Sequence, residues 1–216
     1  MSSFTLTGYR HAMDILKRTD PFILTSAVVA LVLAASSDPW WTLSGAGNNL
    51  LTIKVSPFYF DANAIGFSST VPFAGFLGPF TRILLILTFV ALGMVALNPT
   101  AWWREITVYF SLSALIEVYL SFLLMYHSAE TALLGGYGVV PPYSGAAYLP
   151  TTIVGLDFNN YLRPLVTAGF ALPFYLGFIA IGLVGSRLIV DNMRRNKDAH
   201  EHRGVAAVFT SDDDDT

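Results

Sequence analysis

Charged residues are missing from four long intervals of this chain, and no other feature constrains its fold so strongly. Seventeen residues separate Asp20 from Asp38 without a charge, 21 separate Arg82 from Arg104, and 23 separate Arg163 from Arg187. Between Glu105 and Glu130 lie 24 residues interrupted only by Glu117. An α-helix needs about 20 apolar residues to cross a bilayer, within a range of roughly 17–25. The intervals therefore predict four membrane-spanning helices, over residues 17–37, 79–98, 104–127 and 163–190. Only 12% of the 216 residues are charged, against about 25% in soluble domains, and the deficit is concentrated in these stretches.

Local signals accompany the boundaries. Lys17 and Arg18 can snorkel at one end of the first helix, and Trp40 and Trp41 are expected in the headgroup layer at the other. The Ala34–Ser37 stretch imitates a signal-cleavage site behind a basic segment; the first helix is read as retained. Asn98-Pro99 ends the second helix, and Trp102-Trp103 mark an interface. Pro164 suits a helix start, whereas Pro173, inside the fourth span, predicts a kink.

Orientation follows from Lys and Arg. Arg10, Lys17, Arg18, Arg104, Arg187, Arg194, Arg195, Lys197 and Arg203 fall on one side; Lys54, Arg82 and Arg163 fall on the other. Such a bias predicts a cell-membrane protein with residues 1–16 and 191–216 in the cytoplasm and loops 38–78 and 128–162 outside.

Both loops carry strand patterns. Leu51, Ile53 and Val55 alternate with Thr52, Lys54 and Ser56, the period of a half-buried strand. Residues 58–60, 65–69 and 151–156 are further candidates, with Pro141 to Gly145 as a turn. Residues 64–80 are uncharged and rich in glycine and proline, and are read as an apolar loop covering the sheet. The expected fold is mostly α: an integral membrane bundle of four transmembrane helices with a small extracellular β-rich element formed by two loops. In topology alone this resembles the claudin-type tetraspan layout. It departs from that family's Trp-Gly-Leu-Trp…Cys…Cys signature: the corresponding region reads Trp40-Trp41-Thr42-Leu43-Ser44-Gly45, and the chain has no cysteine. The resemblance thus implies a fold and no activity.

The chemistry is narrow. Absence of cysteine removes disulfides, thiol catalysis, iron–sulfur clusters and Cys-ligated zinc. A net charge of −3 gives no basic surface for nucleic acid. No Ser-His-Asp arrangement, phosphate loop or HExxH motif occurs, so no catalytic residue and no cofactor is expected. His127 and Glu130 are weak candidate metal ligands, one helical turn apart, but zinc usually takes three or four ligands, and no metal is predicted. His200-Glu201-His202 reads as part of a charged tail.

Glu117 is the most informative residue. An ionisable group at the middle of a span costs at least about 2.5–3.5 kcal/mol. It is expected to face the bundle interior as a neutral acid, in an intramembrane polar site with Ser113 and Ser121 on its own helix and Thr88 and Tyr175 on neighbouring ones. It serves there either as a hydrogen-bonded fastening or as a proton- or cation-handling group. Small residues at four-residue spacing mark close helix contacts: Ser26, Ala30 and Ala34 in the first helix, and Gly169, Pro173 and Gly177, then Gly182 and Ser186, in the fourth.

These features point to a non-catalytic structural or accessory subunit of a larger membrane complex. Its partners are the lipid bilayer and other membrane subunits, in a hetero-complex rather than a homo-oligomer. Phe58, Tyr59, Phe60, Phe67, Phe73, Phe76 and Phe80 are many aromatics for a freely exposed segment. One alternative is an oligomeric channel or proton/cation transporter centred on Glu117. Another is a quinone-linked membrane enzyme subunit using Glu117 or the His127/Glu130 pair.

Overall fold

The computed structural model describes residues 19–45, 51–64, 67–69, 71, 73–98, 100, 102–137, 142–148, 152–153, 156–157 and 165–209. Four helices and eight strands occur in these segments. In chain order they are α1 (Pro21–Ala35), β1 (Trp41–Gly45), β2 (Leu51–Ser56), β3 (Tyr59–Ala64), β4 (Phe67–Ser69), α2 (Ala74–Leu97), α3 (Arg104–Tyr137), β5 (Gly145–Tyr148), β6 (Thr152–Ile153), β7 (Leu156–Asp157), β8 (Leu165–Phe170) and α4 (Leu172–Phe209).

Helix α1 starts where its sequence dictates. The Asp20 carboxylate accepts from the Phe22 N–H at 3.2 Å, and Pro21 occupies the first helical position, where a missing N–H is harmless. Its 15 residues extend about 22 Å, short of the roughly 30 Å hydrocarbon core. Among the described residues, three helical segments are long and apolar enough to cross a membrane: Ala74–Leu97, Arg104–Thr131 and Leu172–Lys197. By that length and composition the chain is a helical membrane protein, with α1 as a fourth, shorter apolar helix.

The helices pack in a ring, α1 against α2, α2 against α3, α3 against α4 and α4 back against α1. Ile23, Leu33, Leu92, Leu115, Phe122 and Val184 are among the residues that fill the interior. Large apolar side chains also cover the outside, as Ile83, Leu87, Leu120 and Ile179 do. That is unfavourable in water and natural in lipid.

Both interhelical loops build one antiparallel sheet at one end of this ring. Its order is β4-β3-β2-β1-β8-β5, so β1–β4 of the first loop join β5 and β8 of the second. The seam is β1 on β8, in the register Trp41↔Phe170 and Leu43↔Ala168. The alternation read from the sequence is real: Leu51, Ile53 and Val55 are buried while Lys54 is exposed. That inner face lies on α3, which packs against β2 and β3.

Several expectations are corrected. Residues 165–170 form β8, not the start of the fourth helix, so Gly169 belongs to a strand opposite Thr42. Helix α4 begins only at Leu172, and Pro173 therefore sits in its first turn, where no kink is required. A continuous apolar run suits either structure; the open edge of β1 decides for a strand. Residues 151–156 do not form one strand of the main sheet: Thr152–Ile153 and Leu156–Asp157 pair with each other as a separate two-stranded ladder. The 64–80 segment is not a loop throughout, since it contributes β4 and the first residues of α2. Trp40 and Trp41 are completely buried beneath the sheet instead of lying in a headgroup layer. Helix α3 runs on to Tyr137, and α4 continues through residues expected to form the tail. Lys17, Arg18, Pro141, Thr151 and Pro164 lie outside the described residues.

Candidate functional site

The outward surface of α3 carries the residue that sequence reasoning singled out, but turned the other way. Glu117 and Ser113 are exposed, whereas Ser121 is buried. The reason is helical geometry: four residues advance about 400°, so a four-residue stripe drifts roughly 40° at each step. The stripe starts outside at Ser113 and reaches the interior only at Ser121. Inward positions are taken by Leu115, Val118, Phe122 and Met125, all essentially inaccessible. The expectation that Glu117 faces the bundle interior is therefore corrected.

The other proposed members of that polar site do not converge on it. Thr88 is buried in α2, and its hydroxyl donates to the Leu84 carbonyl of its own helix at 2.8 Å. Tyr175 is exposed on α4, edge-on to Phe174. Among the described residues Glu117 has no hydrogen bond and no ion pair. It stands thirteen residues beyond Arg104 and fourteen short of Thr131, the limits of the apolar segment. At 1.5 Å per residue it is about 20 Å from either limit, and Tyr119, two residues further on, already touches Trp40 at the base of the sheet.

Away from the sheet, charges that the sequence presented as flanking residues form a network. Asp20, with 8% of its side chain exposed, meets Arg104 Nη2 at 3.2 Å and also contacts Arg187 Nε. Asp191 meets Arg104 Nη2 at 3.2 Å and Arg187 Nη1 at 3.3 Å. Two arginines and two aspartates thus balance one another where α1, α3 and α4 come together. Arg195 and Glu105 add an outer pair at 2.6 Å. The available signal was opposite charge at matching depth on different helices.

At the sheet end the helices and strands meet through aromatic rings. The Trp40 ring lies 5.1 Å from Tyr119, 5.6 Å from Phe122 and 6.3 Å from Phe174, centroid to centroid. Trp41 Nε1 donates to the Tyr143 carbonyl at 2.8 Å, and Tyr126 stacks on Tyr143 at 5.6 Å. A cavity of about 80 Å³ opens here, lined by Phe122, Leu123, Tyr126, Tyr143, Phe170 and Phe174. Its lining holds no carboxylate or imidazole, so the acid–base chemistry it offers is limited to phenols. His127 and Glu130 lie 3.7 Å apart with the imidazole largely exposed. No group of three potential metal ligands occurs among the described residues.

The small residues divide between two surfaces. Ser26, Ala30 and Ala34 are buried on α1, and Ser26 Oγ donates to Phe22 O at 2.9 Å and reaches Ala180 O of α4 at 3.4 Å. Gly177 lies under the Tyr119 ring, whose hydroxyl donates to the Phe174 carbonyl. Gly182 and Ser186 are exposed on the outer face of α4. No protein-family model matches the chain, and no curated protein matches it in sequence.

Proposed function

We propose that this chain is a non-catalytic structural subunit of a larger membrane complex, held in the cell membrane with both termini in the cytoplasm and its sheet outside. The observation that carries the reading is Glu117, outward-facing, within the apolar segment of α3 and unpartnered among the described residues. A carboxyl group set against lipid is costly, by up to several kcal/mol in order of magnitude at the bilayer centre. A neighbouring transmembrane helix that hydrogen-bonds or charge-pairs with it removes that cost. The Lys and Arg bias supports the orientation, because the Asp20–Arg104–Arg187–Asp191 network lies at the end away from the sheet.

The same carboxyl supports a second reading, an oligomeric channel or proton/cation transporter. The helical interior is filled by Leu85, Leu92, Leu115 and Phe122. A pathway would therefore run between copies, with Glu117 at the contact. Extraction of the native protein in mild detergent, followed by native mass spectrometry, separates the two. Different subunits at fixed stoichiometry are the expected result. A homo-oligomer alone establishes the second reading, and a monomer overturns both.

A further inference from the structure

We infer that the aromatic cavity at the foot of the sheet is a binding site for the hydrocarbon chain of a membrane lipid. A bilayer around the bundle is all that this requires; no partner subunit is needed. Four of the six lining residues, Phe122, Leu123, Tyr126 and Phe174, belong to segments long and apolar enough to cross a membrane. The other two, Tyr143 and Phe170, come from just before β5 and from the end of β8. Two ring pairs stand in the wall: Tyr126 stacks on Tyr143 at 5.6 Å, and Phe170 on Phe174 at 4.3 Å. Phe122, essentially inaccessible from outside, has its ring 6.4 Å from Phe170 and 5.5 Å from Phe174. Leu123 is half exposed, on the same apolar surface as Leu120 and Leu124. The cavity therefore has rings within and a lipid-facing leucine at its rim.

The wall selects the guest. It presents only apolar surface, and the Tyr126 hydroxyl oxygen is itself buried. By size alone a water enters, since about 15 Å³ is enough for one and the cavity holds about 80 Å³. A buried water, however, takes roughly two to four polar partners, and this wall offers none. A lipid headgroup meets the same objection, with a charge to desolvate besides. Left empty, the rings forfeit dispersion contacts on one side. Hydrocarbon answers all three conditions, and the bilayer supplies it at the rim. Volume sets the shape of the guest. An apolar cavity of about 150 Å³ accepts benzene; this smaller one suits the narrow end of a chain. Straight acyl chains and branched isoprenoid chains share that chemistry.

The test uses native membranes, with any partners in place, fused with vesicles of a phosphatidylcholine that carries a diazirine at the methyl end of one acyl chain. Illumination and peptide mapping locate the labelled residues. Label at Phe122 is the expected result, because a chain that glides over the outer surface does not reach that ring. Leu123→Trp enlarges the side chain at the rim, where half-exposure tolerates it, and is expected to abolish label at Phe122. Leu120→Trp, on the same face but not in the lining, is expected to leave it unchanged. A second probe, with the diazirine at the methyl end of an isoprenoid ether lipid, distinguishes the sources: label at Phe122 from either probe supports the site, and the stronger label names the chain. Label confined to outward residues such as Ile83, Leu87 and Leu120 with both probes overturns the inference, as does label at Phe122 that survives Leu123→Trp. The labelling pattern of the unaltered protein needs no variant, so a misfolded Leu123→Trp protein does not remove the test.

Discussion

Gly78 lies where α2 passes the turn between β2 and β3. A Cβ there runs into the Phe58 carbonyl, a backbone group that cannot swing aside. Alanine normally favours a helix over glycine by about 1 kcal/mol; here overpacking reverses the sign. Gly78→Ala is expected to destabilise the protein by about 1–3 kcal/mol, read as a lower thermal midpoint in detergent. Gly75→Ala, with open space around it, serves as the control and is expected to be neutral or stabilising. Tyr59 gives a pH-dependent counterpart. Its hydroxyl donates to the Ser37 carbonyl at 2.9 Å. Burial, then the charges of Asp38 and Asp61, push its pKa above the ordinary 10.0, against a smaller opposing pull from Arg82. The folded state thus holds the phenolic proton more tightly than the unfolded chain does. The resulting stabilisation is complete below about pH 10 and is lost as pH rises through the folded-state pKa. Melting curves above pH 10 are expected to fall more steeply for the wild type than for Tyr59→Phe. The place of Glu117 along α3 was legible in the sequence, because counting residues gives position along a helix. Its direction was not, because the larger apolar side chains on the opposite face of α3 decide which way the helix turns.

Among the elements, α1 depends most on its neighbours. Its helix is short, and the aspartate that caps it also engages Arg104 and Arg187 from two other helices. Asp20→Asn keeps a capping oxygen but removes the charge. It is expected to cost about 1.5–3 kcal/mol, the usual worth of a hydrogen bond to a charged group. A double-mutant cycle with Arg187→Gln, followed by thermal unfolding, is expected to show clear coupling; additive effects rule out a cooperative network. The strands show what a sequence can and cannot declare. β2 was legible because one face is buried and the other is not, which writes itself as alternation. β8 was not, since Leu165-Val166-Thr167-Ala168-Gly169-Phe170 is uncharged throughout and its state is decided by a partner far away in the chain. β1 was hidden by Trp41 and by Trp40 just before it, which resemble interfacial anchors but fill an aromatic core.

At the scale of the whole molecule, the sheet gathers both loops at one end of the bundle. Reporter fusions at Lys54 and Asp157 are expected to report one side of the membrane, and fusions at Met1 and Thr216 the other; opposite locations for the two termini rule out four crossings. The seam between β1 and β8 also has a consequence for biosynthesis. Trp41 pairs with Phe170, so the ribosome completes the first three helices before it makes the strand that closes β1. During that interval β1 offers an unpaired edge, a template for wrong partners. The brief α1 meanwhile lacks both the sheet seam above it and the arginine of α4 below it. The last helix to be made therefore completes the fastening of the first, and a nascent chain stopped before residue 165 leaves α1 with Arg104 alone at its lower end and only one side of β1 paired above it.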